Sequence, residues 1–288
     1  MRKELLILFI STALFSGCES DAEVDVPTEP EKIVVTTFLN PDSDTNIVYI
    51  SKTNPIFREG NELDVSTSFI KISDGSMEVN LENMQNPYDY TKKLLKKSKF
   101  NIEYNKTYTI TATVSGSQVQ KTFTTINNNP IQVQNLIIDT IIKEDPFGDS
   151  EYILKSRIKF IDPANEENYY RIEVIPTYRR LVSGVYIEEE WYGGDNTFSL
   201  ISDKGLNGSE ITIEKDYVYY TWGNEGPDFK SLHVYIAKID ADSYKYLKSI
   251  QNINEEDPFS EPSLIYSNVP NGLGLIGSQQ VFMLKKVL

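Results

Sequence analysis

The 288-residue chain has one cysteine, Cys18, and one histidine, His233. These two scarcities exclude a good deal of chemistry. With a single thiol no disulfide closes within one chain, and no Cys/His zinc set can be assembled, so no protein-bound metal is expected on that chemistry. A Ser-His-Asp relay would have to run through His233. Basic residues are also short: 28 Lys and Arg against 42 Asp and Glu leave a net charge of −14. Such a surface repels nucleic acid phosphates and anionic headgroups, so no nucleic acid partner is expected. Long apolar runs are missing too. The stretch from Leu5 to Phe15, interrupted by Ser11 and Thr12, would span about 16 Å as a helix, against a hydrocarbon core of roughly 30 Å.

What the N-terminus does have is the three-part form of a secretion signal. Arg2 and Lys3 precede the apolar run, and the small residues Ser16 and Gly17 lead into Cys18. The segment Leu14-Phe15-Ser16-Gly17-Cys18 resembles a lipobox, which implies removal of residues 1–17 and a diacylglyceryl lipid, usually with an added N-acyl chain such as palmitate, on Cys18. Each buried methylene contributes about 0.8 kcal/mol, so two or more acyl chains anchor stably where one does not. Residues 18–32 then form an acidic tether with Glu19, Asp21, Glu23, Asp25, Glu29 and Glu31, punctuated by Pro27 and Pro30. It offers little to bury and, if flexible, spans on the order of 20 Å. The residues after the cysteine, Glu19-Ser20-Asp21, resemble the surface-export signal of Bacteroidota lipoproteins; the alternative is a solvated linker.

The apolar fraction of 40% argues for a folded body, and its periodicity is that of strands. Ile33–Phe38 and Ile47–Ile50 are rich in β-branched residues. Phe69–Ile72 and Met77–Leu81 flank Asp74-Gly75, a pair suited to a tight hairpin. Tyr108, Ile110, Ala112 and Val114 alternate with threonines, and Ser115-Gly116 turns the chain toward Val119–Thr125. The lysines at 92, 93, 96, 97 and 99 read as a solvated loop. The spacing predicts an immunoglobulin- or fibronectin-III-like β-sandwich over 33–127. Asn127-Asn128-Asn129-Pro130 marks a boundary, and a second antiparallel β domain with one short helix is predicted over 131–288. Its strands are expected at Val133–Ile142, Tyr152–Ile161, Tyr169–Ile175, Val185–Trp191, Ile211–Glu214, Tyr217–Trp222, Leu232–Ile239 and Val281–Leu284. The helix is placed near 242–253, where Tyr244, Leu247, Ile250 and Ile253 recur, with Asp240 or Asp242 as its cap.

Several motifs in this order resemble a family of Bacteroidota lipoproteins known as domain of unknown function 4249. They are Phe160-Ile161-Asp162-Pro163-Ala164, Asn168-Tyr169-Tyr170-Arg171, the late Tyr-rich helix with Tyr244, Tyr246 and Leu247, and Ser267-Asn268-Val269-Pro270-Asn271-Gly272-Leu273-Gly274. Asp257-Pro258-Phe259 and Glu261-Pro262 precede the last of these. Leu275-Ile276-Gly277 departs from the pattern, which has an aromatic before the glycine. The resemblance implies an outer-membrane lipoprotein, often encoded near TonB-dependent receptors, and supplies no catalytic residues.

Candidate binding residues are aromatic: Trp191 and Tyr192, then Tyr220 and Trp222, with Tyr217 and Tyr219 beside them. Such rings stack on sugars or anchor proteins, and they equally fill sandwich cores. Glu188, Glu189 and Glu190 alternate in direction along a strand, so the three cannot converge, and a charged edge strand is the simpler reading. Asp195 follows them. Oxygen-rich stretches at Asp42-Ser43-Asp44-Thr45-Asn46 and Asp145–Glu151 could bind Ca²⁺ but lack the spacing of an EF-hand. Asp139-Thr140-Ile141 resembles a Bacteroidota O-glycosylation motif. His233 falls on the strand face opposite Leu232, Val234 and Ile236. The expectation is a surface-exposed, non-catalytic accessory to an outer-membrane partner such as a TonB-dependent transporter. A glycan- or peptide-binding module is the alternative, and a carboxylate-based hydrolase a third.

Overall fold

The computed structural model describes residues 30–53, 65–84, 91–144, 150–190, 198–221, 228–253 and 264–288. The chain is mainly β, built from several antiparallel sheets with one helix among the described residues. Eight strands make the first half: β1 (Ile33–Leu39), β2 (Thr45–Lys52), β3 (Phe69–Ser73), β4 (Glu78–Asn80), β5 (Glu82–Asn83), β6 (Lys92–Lys96), β7 (Thr107–Val114) and β8 (Ser117–Thr124). The order β1-β2-β6-β5 faces a sheet in the order β4-β3-β7-β8, which is the immunoglobulin arrangement. The alternation seen in sequence fills the space between them. Val35, Val48, Ile50, Ile70, Ile72, Ile110, Ala112 and Val114 are all buried there. Tyr108 belongs to the same core, and its hydroxyl accepts the Glu103 N–H at 2.8 Å, a tyrosine corner that ties the incoming loop to β7.

Both predicted hairpins form. Ser115 and Gly116 have consecutive positive φ, 49° and 84°, as a two-residue primed turn requires. In the other, Asp74 Oδ1 accepts the backbone N–H groups of Ser76 at 3.0 Å and Met77 at 2.8 Å, and Lys106 Nζ lies 3.0 Å from Asp74 Oδ2. The Met77 N–H first, then Ser76 and Lys106, hold the Asp74 carboxyl well below the usual carboxylate range. A depressed folded-state pKa gives stabilisation that is complete above the ordinary carboxylate value and is lost as pH falls below it. The thermal midpoint should therefore drop below about pH 4, and Asp74→Asn should flatten part of that drop. An equally steep acid dependence in Asp74→Asn would remove the turn as its cause.

Two features differ from the sequence reading in this half. The lysine cluster is a strand rather than a solvated loop: Lys92, Lys93 and Lys96 lie in β6, and Lys93 is buried with its Nζ 2.7 Å from Asn83 Oδ1. Burial pushes the Lys93 ammonium pKa down. Met77, which the alternation places with Val79 and Leu81, is exposed before β4 begins.

The second half contains β9 (Gln132–Glu144), β10 (Ser150–Ile161), β11 (Tyr169–Val182), β12 (Val185–Glu190), β13 (Ser199–Ser202), β14 (Glu210–Thr221), β15 (Asp228–Ile239), α1 (Ala241–Gln251) and β16 (Leu273–Val287). A three-stranded sheet, β14-β10-β9, covers one face of β11, β15 and β16. Phe160, Tyr170, Ile172, Val234 and Ile236 are buried between the layers. The helix lies on the opposite face, where Leu247, Tyr244 and Tyr246 meet Ala237 and Ile239. Asp240 is its cap, accepting the Ser243 N–H at 2.8 Å. The two strands expected at 211–214 and 217–222 are one continuous β14, because Lys215 and Asp216 stay in register opposite Ser156 and Lys155.

The largest difference is β16. It starts at Leu273 and runs fifteen residues, where the sequence suggests a glycine turn and then a short strand. Leu273–Ser278 pair in parallel with β1, and Gln279–Val287 pair antiparallel with β15. One nine-stranded sheet therefore runs through both halves of the chain. The glycines that look like a turn are what allow close approach. At Gly274 (φ 102°) a Cβ would lie 2.2 Å from the Val35 carbonyl oxygen, and at Gly277 it would lie 2.1 Å from Ser243 Oγ.

Candidate functional site

In β11, β15 and β16 the residues that point away from the second core share one outer face. Pairing places Glu173 beside Tyr235 and Met283, and Ile175 beside His233 and Lys285. Thr177 lies beside Ser231 on one side and Glu190 on the other. Glu190 reaches across this face: its Oε1 accepts the Tyr235 hydroxyl at 2.7 Å and lies 3.0 Å from His233 Nδ1. A carboxylate can only accept, so the proton sits on Nδ1 in this contact. Among the described residues, His233 Nε2 is buried without a hydrogen-bond partner. Ser231, on the same strand face as His233, has its hydroxyl 2.6 Å from Thr177 Oγ1. This geometry orients an imidazole and a phenol around one carboxylate. It does not place a serine on the imidazole.

The glutamate run behaves as alternation requires. Glu190 faces His233, whereas Glu189 accepts from Tyr178 at 2.8 Å. Glu188 lies 3.8 Å from Lys285. Around them, the Arg171 guanidinium is 3.0 Å from Glu173 and sits 5.4 Å over the Phe38 ring. Met283 and Val287 are exposed on the same face.

Toward β1 and β2 this sheet carries a groove of about 310 Å³ lined by Thr36, Phe38, Asn40, Ile47, Tyr49 and Gln279, among others. Its ten lining residues are all uncharged. Tyr49 and Ile47 are exposed, while Asn46 is buried beneath, with its side chain satisfied by Asn40. Sequence reasoning missed Tyr49 as a surface aromatic. The signal was available, since Thr45, Ile47 and Tyr49 alternate against the buried Asn46, Val48 and Ile50.

Of the residues singled out from sequence, Cys18, Glu19, Ser20, Asp21, Trp191, Tyr192, Asp195 and Trp222 lie outside the described residues, as does 145–149. Tyr220 is in β14, paired with Glu151. The stretch Asp42–Asn46 is a polar turn that runs into β2 at Thr45: Asp42 accepts from the Tyr104 hydroxyl, and Ser43 bonds to Thr45. Among the described residues no group of three or more His, Cys, Asp or Glu side chains could hold a metal ion, and no helix is long and apolar enough to cross a membrane.

Apart from Arg171, which lies on the outer face, the polar residues of the resemblance motifs bond to neighbouring loops and strands. Buried Asp162 accepts from the Tyr170 hydroxyl and, at 3.0 Å, from the Gly208 N–H. Asn168 donates its N–H to Asp203 at 2.9 Å. Lys238 is buried, with Nζ 2.7 Å from both Asn127 Oδ1 and the Asn129 carbonyl and 3.7 Å from Glu166. Burial lowers its pKa against the pull of Glu166. Asn268 closes the other side, bonding Asp242 and both backbone groups of Ile276 at 2.9 Å. The inter-half segment is held by Lys238 together with Glu166, which accepts from Asn127 and Asn129, and Gln280, which donates to Asn128 at 3.1 Å.

A family model described as Domain of unknown function (DUF4249) matches residues 19–285. No curated protein matches the chain.

Proposed function

Starting from the chain's membership of the DUF4249 family, we propose that it is a lipid-anchored, surface-facing and non-catalytic binding subunit of an outer-membrane assembly, with a TonB-dependent transporter as partner. The observation that carries the reading is the outer face of the nine-stranded sheet, which presents Tyr49, Ile47, Met283 and the Glu190 cluster on one hydrogen-bonded scaffold. A site on strands is held more precisely than one on loops. The N-terminal sequence supports the placement: a cleavable signal, a lipidated Cys18 and an acidic tether would hold this body beside a membrane protein without a spanning helix.

Affinity purification of the tagged protein from mild-detergent membranes tests the proposal. It should recover an outer-membrane protein, and Tyr49→Ala should reduce that recovery by roughly tenfold if the tyrosine is a binding hot spot. Recovery of no membrane protein by the native chain would overturn it. A second reading is favoured by the groove, whose uncharged polar rim and exposed tyrosine suit a neutral glycan or a peptide. In that case Tyr49→Ala would abolish retention of the small ligand at an unchanged melting temperature.

A further inference from the structure

The thirteen-residue strand β9 is the edge of the sheet β14-β10-β9, and no described strand pairs with its outer side. Natural edges are guarded by charge, proline, bulges or shortness. The far half of β9 has little of this protection: Ile137, Ile141 and Ile142 are exposed, with Asp139 and Lys143 between and after them. The neighbouring pair looks different. Across β10 and β14 the solvent side carries Lys159–Glu210 at 2.9 Å, Arg157–Glu214 at 2.7 Å and Lys155–Asp216 at 3.9 Å.

We propose that β9 is the dimerisation edge of this protein, pairing antiparallel with β9 of a second copy, with Ile141 on the twofold axis. The register follows from the rows already present in the sheet. Asp216 lies opposite Lys155, and Lys155 opposite Asp139. With Ile141 on the axis, Asp139 faces Lys143 of the second copy, and that lysine is already 3.1 Å from Glu151 of its own chain. The charges along this row then alternate through the interface without a like-sign contact. The next row is apolar throughout: Val218 opposite Ile153, Ile153 opposite Ile141, and Ile141 opposite its own copy. On the other side of the strand, exposed Ile142 comes to lie against Thr140 of the second copy. Moving the axis to Asp139 would face two carboxylates, and moving it to Thr140 would set each Ile141 against Asp139. Cross-strand pairs are the unit of sheet stabilisation, and a twofold axis makes each favourable pair occur twice.

The test uses the full chain with Cys18→Ala, so that an introduced thiol is the only one and the outcome is independent of lipidation. Residues facing each other across an antiparallel pair have Cα atoms about 4.5–5.5 Å apart, within disulfide range. Ile141→Cys should oxidise to a covalent dimer. Ile137→Cys should not, since its copy would lie eight residues along the strand, roughly 27 Å away. By sedimentation, Asp139→Lys should weaken dimerisation at least tenfold, and Asp139→Lys combined with Lys143→Asp should recover part of that loss, because each new side chain then meets a like charge in its own chain, at Lys155 and at Glu151. Circular dichroism establishes that each variant is folded. A chain that stays monomeric at high micromolar concentration, equal cross-linking at 137 and 141, or cross-linking of Ile141→Cys only to a different protein would overturn the proposal.

Discussion

A mature Cys18→Ser chain, purified without residues 1–17, is expected to lose almost all binding to lipid vesicles that the native lipidated protein binds, without any change in far-UV circular dichroism or melting temperature. No helix among the described residues is long and apolar enough to cross a membrane, and the proposed role moors the body through the Cys18 side chain alone. Each long acyl chain contributes on the order of 10 kcal/mol of methylene burial, and the expected modification supplies at least two. With lipid alone, charge offers no substitute, because the chain's net charge of −14 repels anionic headgroups. Residues 18–32 precede β1, so the serine should not disturb the sandwich. A mature Cys18→Ser chain that still sediments with lipid vesicles, and is not released by high salt, would show that some other part of the chain binds lipid.

The second large effect is expected at Gly274. Its φ of 102° is a region that side chains rarely occupy, and an added Cβ would lie 2.2 Å from the Val35 oxygen and 2.9 Å from the Val35 carbonyl carbon. Both contacts are backbone, so no rotamer change relieves them. Gly274→Ala must therefore either strain β16 or part it from β1, the pairing that carries the large sheet from one half to the other. The expected cost is about 3–5 kcal/mol, made of backbone strain and lost pairing, and a fall in melting temperature of about 10 °C for a chain of this size. Gly184 is the control. It also has positive φ, 82°, but open space around its Cβ position, so Gly184→Ala should cost about 1–2 kcal/mol. Equal melting temperatures for the two variants would mean that the β1–β16 approach does not limit stability.

The contrast between these glycines also explains what could be read from sequence. Local features were legible because their causes are local. Asp74-Gly75 and Ser115-Gly116 specify turns within four residues, Tyr108 to Val114 declares its buried face by alternation, and Asp240 announces α1 through one capping bond. The role of Gly274 and Gly277 was not legible, because what they accommodate lies far away in the chain: Val35 in one case and Ser243 in the other. The same holds for Lys93. A lysine among lysines reads as solvated, and only the pairing of β6 with β2 and β5 carries it into the interior toward Asn83.

The open face was half legible. The position of His233 opposite Leu232 and Val234 follows from strand parity, but its partner Glu190 is on a strand brought close by the fold. The same fold gives Asp162, Asn168 and Asn268 their structural role, since their partners Gly208, Asp203 and Ile276 are brought to them by pairing of separate strands and loops. Tyr49 was overlooked because Trp191 and Trp222 are the more conspicuous aromatics. Its exposure follows from its place on the outer side of β2, opposite the buried Val48 and Ile50.

The mooring on which the proposed role depends can be weighed directly. Mass spectrometry of the protein extracted from native membranes is predicted to give a chain that begins at Cys18 and carries a diacylglyceryl group on that sulfur. A mature chain that begins elsewhere, or that retains Cys18 with a free thiol, would contradict the account.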